Sequence, residues 1–279
     1  MAIPSKQIGW GTESNLLWQI AKQIQYLTNV TASVVPTPGG SGPFRYDTCT
    51  SIIPCLGSNS ASAPYSVVGG GKCNTSSNNQ AVVSGGLYNV ASGYNSFIGG
   101  GRCNTASCYQ STVSGGYGNT ASGNNSTVSS GQTNTASGQN SFIGGGSQNT
   151  TSGYLSTVSG GYNNIASSLA STVSGGSANS ANGSSATIAG GYNNSVSGNC
   201  STIGGGRNNN ASSYFSTIVG GRNNDTCLFT CVVIAGSYIT ADRNCATFVN
   251  NLSIKNIPTS AAGLPSGSVW KNGAVLNIV

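Results

Sequence analysis

Histidine is absent from the 279 residues, and the acidic side chains number four: Glu13, Asp47, Asp225 and Asp242. General acid–base catalysis, nucleophilic triads and most zinc sites draw on these groups, so the sequence predicts a protein that is not an enzyme and carries neither cofactor nor metal. Charge of either sign is scarce at 5%, and residues 103 to 206 hold no Asp, Glu, Lys or Arg, although the net charge is +6. Following a phosphate backbone takes a row of cations, so no nucleic acid is expected as a partner. Long apolar runs are missing too: none reaches the roughly eighteen residues of a membrane span, and Met1 to Trp10 lacks the core of a secretory signal, so neither membrane insertion nor general export is expected. Proline and tryptophan are excluded from one region, with all eight prolines and all three tryptophans lying outside residues 66 to 251. A stack of strands that bond to the turns above and below leaves no place for a residue without an N–H.

What fills that region is Gly, Ser, Asn and Thr with apolar residues at regular intervals, in register every 15 residues from Ser66. Ser111-Thr-Val-Ser-Gly-Gly-Tyr-Gly-Asn-Thr-Ala-Ser-Gly-Asn-Asn125 is one unit, and twelve such units run to Cys245. The third position is an apolar column: Val68, Val83, Ile98, Val113, Val128, Ile143, Val158, Val173, Ile188, Ile203, Ile218 and Val233, with Phe248 opening a partial further unit. The ninth is asparagine from Asn74 through Asn119, Asn134, Asn149 and Asn164 to Asn224, until Ile239 breaks the series, and the eleventh is usually alanine. Alternation within Ser-Thr-Val-Ser and Asn-x-Ala-Ser predicts two short strands per unit, each with one inward face, separated by Gly-rich turns. The fold class is therefore all-β, a parallel β-solenoid of twelve 15-residue coils, a rod of roughly 58 Å. The glycine pair at positions five and six, as in Gly115-Gly116, is expected to reverse the chain at positive φ. The asparagines either occupy left-handed turns or form an amide ladder along the stack, the ladder being slightly favoured.

A layer holding one Val or Ile and one Ala buries little apolar area against the entropy of ordering fifteen residues, which predicts that neighbouring chains complete the core in a homotrimer. The recurring Ser-x-Val/Ile-x-Gly-Gly and Asn-x-Ala-Ser-Gly pattern over residues 66 to about 251 resembles the heads of trimeric autotransporter adhesins, with a unit one residue longer. That resemblance implies a left-handed parallel β-roll in three intertwined chains.

Residues 1–34 read as an N-terminal anchor, with Leu17, Ile20, Ile24 and Leu27 lining one face of an amphipathic helix over Thr12 to Thr28. Residues 35–65 form a Pro/Gly-rich transition, residues 66–251 the solenoid, and residues 252–279 a β cap built on a hairpin around Lys271-Asn-Gly273. Ile3-Pro-Ser-Lys-Gln-Ile-Gly-Trp10, Asn15-Leu-Leu-Trp18 and Gly263-Leu-Pro-Ser-Gly-Ser-Val-Trp270 resemble the termini of bacteriophage structural proteins. The two resemblances together imply a virion fibre, assembled in the host cytoplasm, joined to other virion proteins through its N-terminal segment and displaying the solenoid to a host-surface glycan or protein. A purely architectural collar, decoration or filament protein is the alternative.

Candidate sites are few. Cys231 and Cys245, 14 residues apart, fall nearly above one another on consecutive coils at a separation suited to a disulfide. Position seven varies most, and Tyr117, Tyr162, Tyr192, Arg102, Arg207 and Arg222 form an outward stripe able to stack on and hydrogen-bond a glycan; packing between chains or simply covering turns is the favoured reading of the same residues. Thr112, Thr127, Thr157, Thr172, Thr187, Thr202 and Thr217 form an outward column that raises an ice- or surface-binding solenoid. Phe97 and Phe142 interrupt it and no paired threonine array is evident, which sets that reading below the fibre. A glycan-cleaving spike would need two carboxylates close together, for which the stack offers Asp225 and Asp242 alone.

Overall fold

The computed structural model describes residues 44–47, 51–54 and 58–251, with residues 260, 262–263, 265–266, 268–272 and 275–278 beyond them. Fifteen-residue periodicity becomes a parallel β-solenoid of about thirteen turns. Each coil contributes two strands of two residues, as in Thr112–Val113 and Thr120–Ala121, and in each the first residue looks outward and the second is buried. Corresponding residues stack directly: Thr112 over Thr127, Val113 over Val128, Thr120 over Thr135. The stacking produces one sheet of fifteen strands and a second of eleven on the other side of the coil. A third parallel ladder of single residues runs along position seven, from Lys72 through Leu87 and Arg102 to Arg222. The expected helix over Thr12 to Thr28 and the anchoring segment lie outside the described residues, among which no helix occurs.

The core is closed within one chain. Val113, Val128, Ile143, Val158, Val173 and Ile188 are fully buried, as are Ala121, Ala136 and Ala166 opposite them. The three-chain expectation assumed a core left open in a lone coil, and that premise does not hold. Two further columns point inward, the Ser at position one and the Asn at position nine, and both are fully buried through most of the stack. Hydrogen bonds satisfy most of them, the hydroxyls of Ser96 and Ser141 being the exceptions in the Ser column. The Ser126 hydroxyl donates to Gly123 O at 2.7 Å and accepts from Gly123 N–H at 3.1 Å, which ties one corner. Asn119, Asn134, Asn149 and Asn164 form the ladder. Asn149 Nδ2 donates to Gly145 O in its own coil at 3.0 Å and to Gly161 O in the next at 2.9 Å. Its Oδ1 accepts the backbone N–H of Asn164 at 2.9 Å. From Asn74 to Asn224 each layer is thus bolted to its neighbours by an amide whose polar atoms are all used, the condition under which a buried polar group stabilises.

The left-handed positions are not those of the asparagine ladder. They fall at position eight, as at Thr133 (φ 52°) and Gln148 (φ 59°), and at position fifteen, as at Asn125 (φ 55°) and Asn140 (φ 56°). Of the glycine pair, the second carries the constraint: Gly116 has φ 94° and a Cβ there would stand 2.2 Å from Gly131 O, whereas a Cβ on Gly115 would meet nothing within 4 Å.

Both ends depart from the sequence reading. The stack begins before Ser66, because Ser60–Ala61 pairs with Thr75–Ser76 and Asn59 Oδ1 accepts Asn74 N–H at 2.9 Å. Pro64 lies in this early coil, and Pro54 in a strand that pairs antiparallel with Phe44–Asp47. At the other end the coil after Ile218 is one residue longer, because Ile218 pairs with Ile234, and the next is one shorter, because Ile234 pairs with Phe248. Ile234, not Val233, is therefore the fully buried residue, and Val232 fills the position-one site beside it. A bulge between Ile218 and Gly220 absorbs the shift. Sequence identity at fifteen-residue spacing could not separate two adjacent valines and an isoleucine. The C-terminal hairpin is present, with Val269–Asn272 antiparallel to Val275–Ile278 in a sheet of its own.

Candidate functional site

The fifteen-stranded sheet presents its outward residues in two columns. Position two carries Thr112 and Thr127, then Phe142, then Thr157, Thr172, Thr187, Thr202 and Thr217, paired in constant register from coil to coil. These threonines are half-buried, so neighbouring side chains restrict each one while its outer surface reaches solvent. Parallel strands stand about 4.8 Å apart, and that is the repeat of the hydroxyl and methyl groups along the stack. Position four lies on the same side two residues on, and there Ser114, Ser129, Ser159 and Ser174 form a second hydroxyl column. The array is paired in these four coils, as Thr with Ser, whereas Ala189, Gly204 and Val219 stand beside Thr187, Thr202 and Thr217.

The two phenylalanines interrupt both columns together. In each such coil the position-four residue is glycine, and the ring leans into the space its side chain would take. Phe97 Cε1 lies 3.4 Å from where a Cβ on Gly99 would stand, and Phe142 Cε1 3.5 Å from the same point at Gly144. The run Phe-Ile-Gly-Gly-Gly stands at residues 97–101 and again at 142–146, and Thr202-Ile-Gly-Gly-Gly206 keeps the glycine without the ring.

The eleven-stranded sheet is a poorer version of the same surface. Its outward column runs Thr105, Thr120, Thr135 and Thr150, then Ile165, Ser180, Ser195, Asn210 and Asp225. Threonine gives way after Thr150 while it continues on the opposite face, and Asp225 puts a carboxylate into the column before Thr240.

Tyr117, Tyr162 and Tyr192 are brought into one column with Arg102, Arg207 and Arg222 by the position-seven ladder, on the edge between the two sheets. All six are exposed, and Arg102 and Arg207 lie against Tyr117 and Tyr192, with guanidinium carbons 5.7 and 5.4 Å from the ring centres. Cys231 and Cys245 meet at a left-handed corner of successive coils, with φ 58° and 49°, and stand as thiols. The hydrogen bond with Cys231 pushes the Cys245 thiol above its usual pKa, and the negative charge Cys231 can carry and desolvation add to it. The two carboxylates considered for glycan cleavage have other partners. Asp225 Oδ1 accepts from Asn210 Nδ2 and from Cys227 N–H, and Asp242 is held by Arg243 at 2.7 Å.

A family model described as the grass antifreeze beta roll matches residues 107–205, about a third of the chain and all of it inside the uncharged stretch. No match was found among curated proteins. The match corrects the expected function: it points to ice, and not to a virion fibre with host attachment. The adhesin-like pattern reported the β-roll and not its use, for a physical reason. Buried Val and Ala columns, the Asn ladder and the left-handed glycine all serve the inside of this roll, so their recurrence leaves its use to the outward residues.

Proposed function

We propose that this chain binds ice, without catalysis, through the Thr–Ser face of its fifteen-stranded sheet. One observation carries the reading: Thr157, Thr172, Thr187, Thr202 and Thr217 stand in unbroken parallel register on a surface free of charge. Binding ice is a problem of geometry, because water in a crystal holds fixed positions while water around a protein does not. Side chains held by a backbone ladder at about 4.8 Å repeat hydroxyl and methyl groups at a fixed interval close to that of a water lattice. A β-branched residue on a strand has few rotamers, so little entropy is lost when the face meets the crystal. Methyl groups displace water that cannot join the lattice, hydroxyls bond water that can, and no ion holds a competing hydration shell.

The opposite face offers the same chemistry with a shorter run, ending in Ile165, Ser180 and Ser195. The assignment therefore separates the two faces. In purified protein, thermal hysteresis and inhibition of ice recrystallisation are both expected. Replacing Thr172 and Thr187 with tyrosine should remove most of both activities, whereas the same change at Thr120 and Thr135 should leave the greater part. Inactive wild-type protein would reject ice binding, and loss from the second pair alone would move the site to the other face.

A further inference from the structure

The cations of the roll are sorted by position. Between residues 58 and 251 there are five: Lys72, Arg102, Arg207, Arg222 and Arg243. The first four all occupy position seven, the edge ladder, and only Arg243, outside it, is paired with an acid. Among the described residues no carboxylate lies within ion-pairing distance of the other three arginines or of Lys72. The Thr–Ser face carries none of this charge. We infer that this edge is a second binding surface, for a linear acidic polysaccharide.

Its richest part is at the C-terminal end. Arg207 and Arg222 are bridged neighbours, their backbones about 4.8 Å apart along the stack. Two cations on adjacent coils favour an anion beside them, and among the described residues no carboxylate pairs with either. Each is steadied on a ring instead: Arg207 over Tyr192 at 5.4 Å and Arg222 over Tyr238 at 4.8 Å. A cation held over an aromatic face keeps its N–H groups free at the rim, ready for the forked hydrogen bonds that a carboxylate accepts. Beside them runs an exposed amide ladder, Asn193 Nδ2 to Asn208 Oδ1 at 2.9 Å and Asn208 Nδ2 to Asn223 Oδ1 at 3.2 Å. Amides that both donate and accept suit hydroxyls, and the half-exposed faces of Tyr192 and, further along, Tyr162 suit the apolar faces of sugar rings. The charge is too sparse for a nucleic acid, because between Arg102 and Arg207 the edge has tyrosine, glutamine and serine and no cation. A polymer of sugar rings that bear carboxylates matches the arginines and the tyrosine faces along this edge.

Polygalacturonate, with dextran as its neutral counterpart, is the probe. The full chain should be retarded in a native gel containing polygalacturonate and not in one containing dextran, and added salt should weaken the retardation. R207Q/R222Q should weaken binding about tenfold or more, the loss expected of two charge-assisted contacts, while R243Q binds as wild type. Ice activity should be unchanged in R207Q/R222Q, so the edge and the face fail or succeed separately. Equal retardation by dextran, or undiminished binding by the double variant, overturns the proposal. So does binding to phosphatidylserine vesicles that polygalacturonate cannot compete away, which would make the edge a membrane contact. If the double variant fails to fold, the wild-type comparison of the two polymers still decides the matter.

Discussion

At position nine a single amide does the work of three hydrogen bonds. Replacing Asn149 with alanine would leave Asn164 N–H, Gly145 O and Gly161 O without these partners, all inside the stack. We expect a loss on the order of 3 kcal/mol, read as a lowered midpoint in denaturant unfolding. The adjacent glycines give a sharper contrast. Gly115→Ala should be nearly neutral, since its Cβ enters open space, whereas Gly116→Ala meets Gly131 O at 2.2 Å from a left-handed backbone and should cost roughly 2 kcal/mol or more. Equal effects would mean the corner does not have this geometry. The cysteine pair offers a third check at this scale. Because the hydrogen bond to Cys231 raises the Cys245 pKa, less Cys245 is thiolate at a given pH. Cys231→Ala should therefore speed alkylation of Cys245 near neutral pH, as followed by peptide mass spectrometry.

Strands of two residues are too short to be stable alone, and their order comes from repetition. A defect in one is felt by the layers on both sides, as repeat architectures require. Ile143 is fully buried between Val128 and Val158, and Ile143→Ala should cost about 3 kcal/mol. On the outer side of the same strand, Phe142 divides the threonine run. Phe142→Thr would make the column continuous from Thr112 to Thr217. The variant should show stronger thermal hysteresis than the wild type. A decrease would mean that the phenyl ring is itself part of the ice-binding surface. The fold at this scale was legible in the sequence, because a strict period of fifteen places each inward column by arithmetic. The bulge near Ile218 was not, since Val232, Val233 and Ile234 are chemically interchangeable and only pairing reveals that Val232 and Ile234 turn inward and Val233 outward.

For the molecule as a whole, the fully buried Ser, Val, Asn and Ala columns give each chain a closed core. Light scattering should therefore report the mass of one chain in solution, and a mass near three would restore the intertwined trimer and cover faces that the ice-binding reading needs open. Composition and a period of fifteen set the broad class, a repetitive β structure. The inward pattern further determined the roll, because spacing fixes which residues share a column. Two things were decided only in three dimensions. One was whether a lone coil closes, which depended on the asparagine amides finding partners in the layers on either side. The other was which outward residues form one surface: threonine and serine columns, phenylalanine with its glycine, and arginine with tyrosine along the edge lie close together because coils stack, and stacking joins residues that the chain keeps fifteen apart.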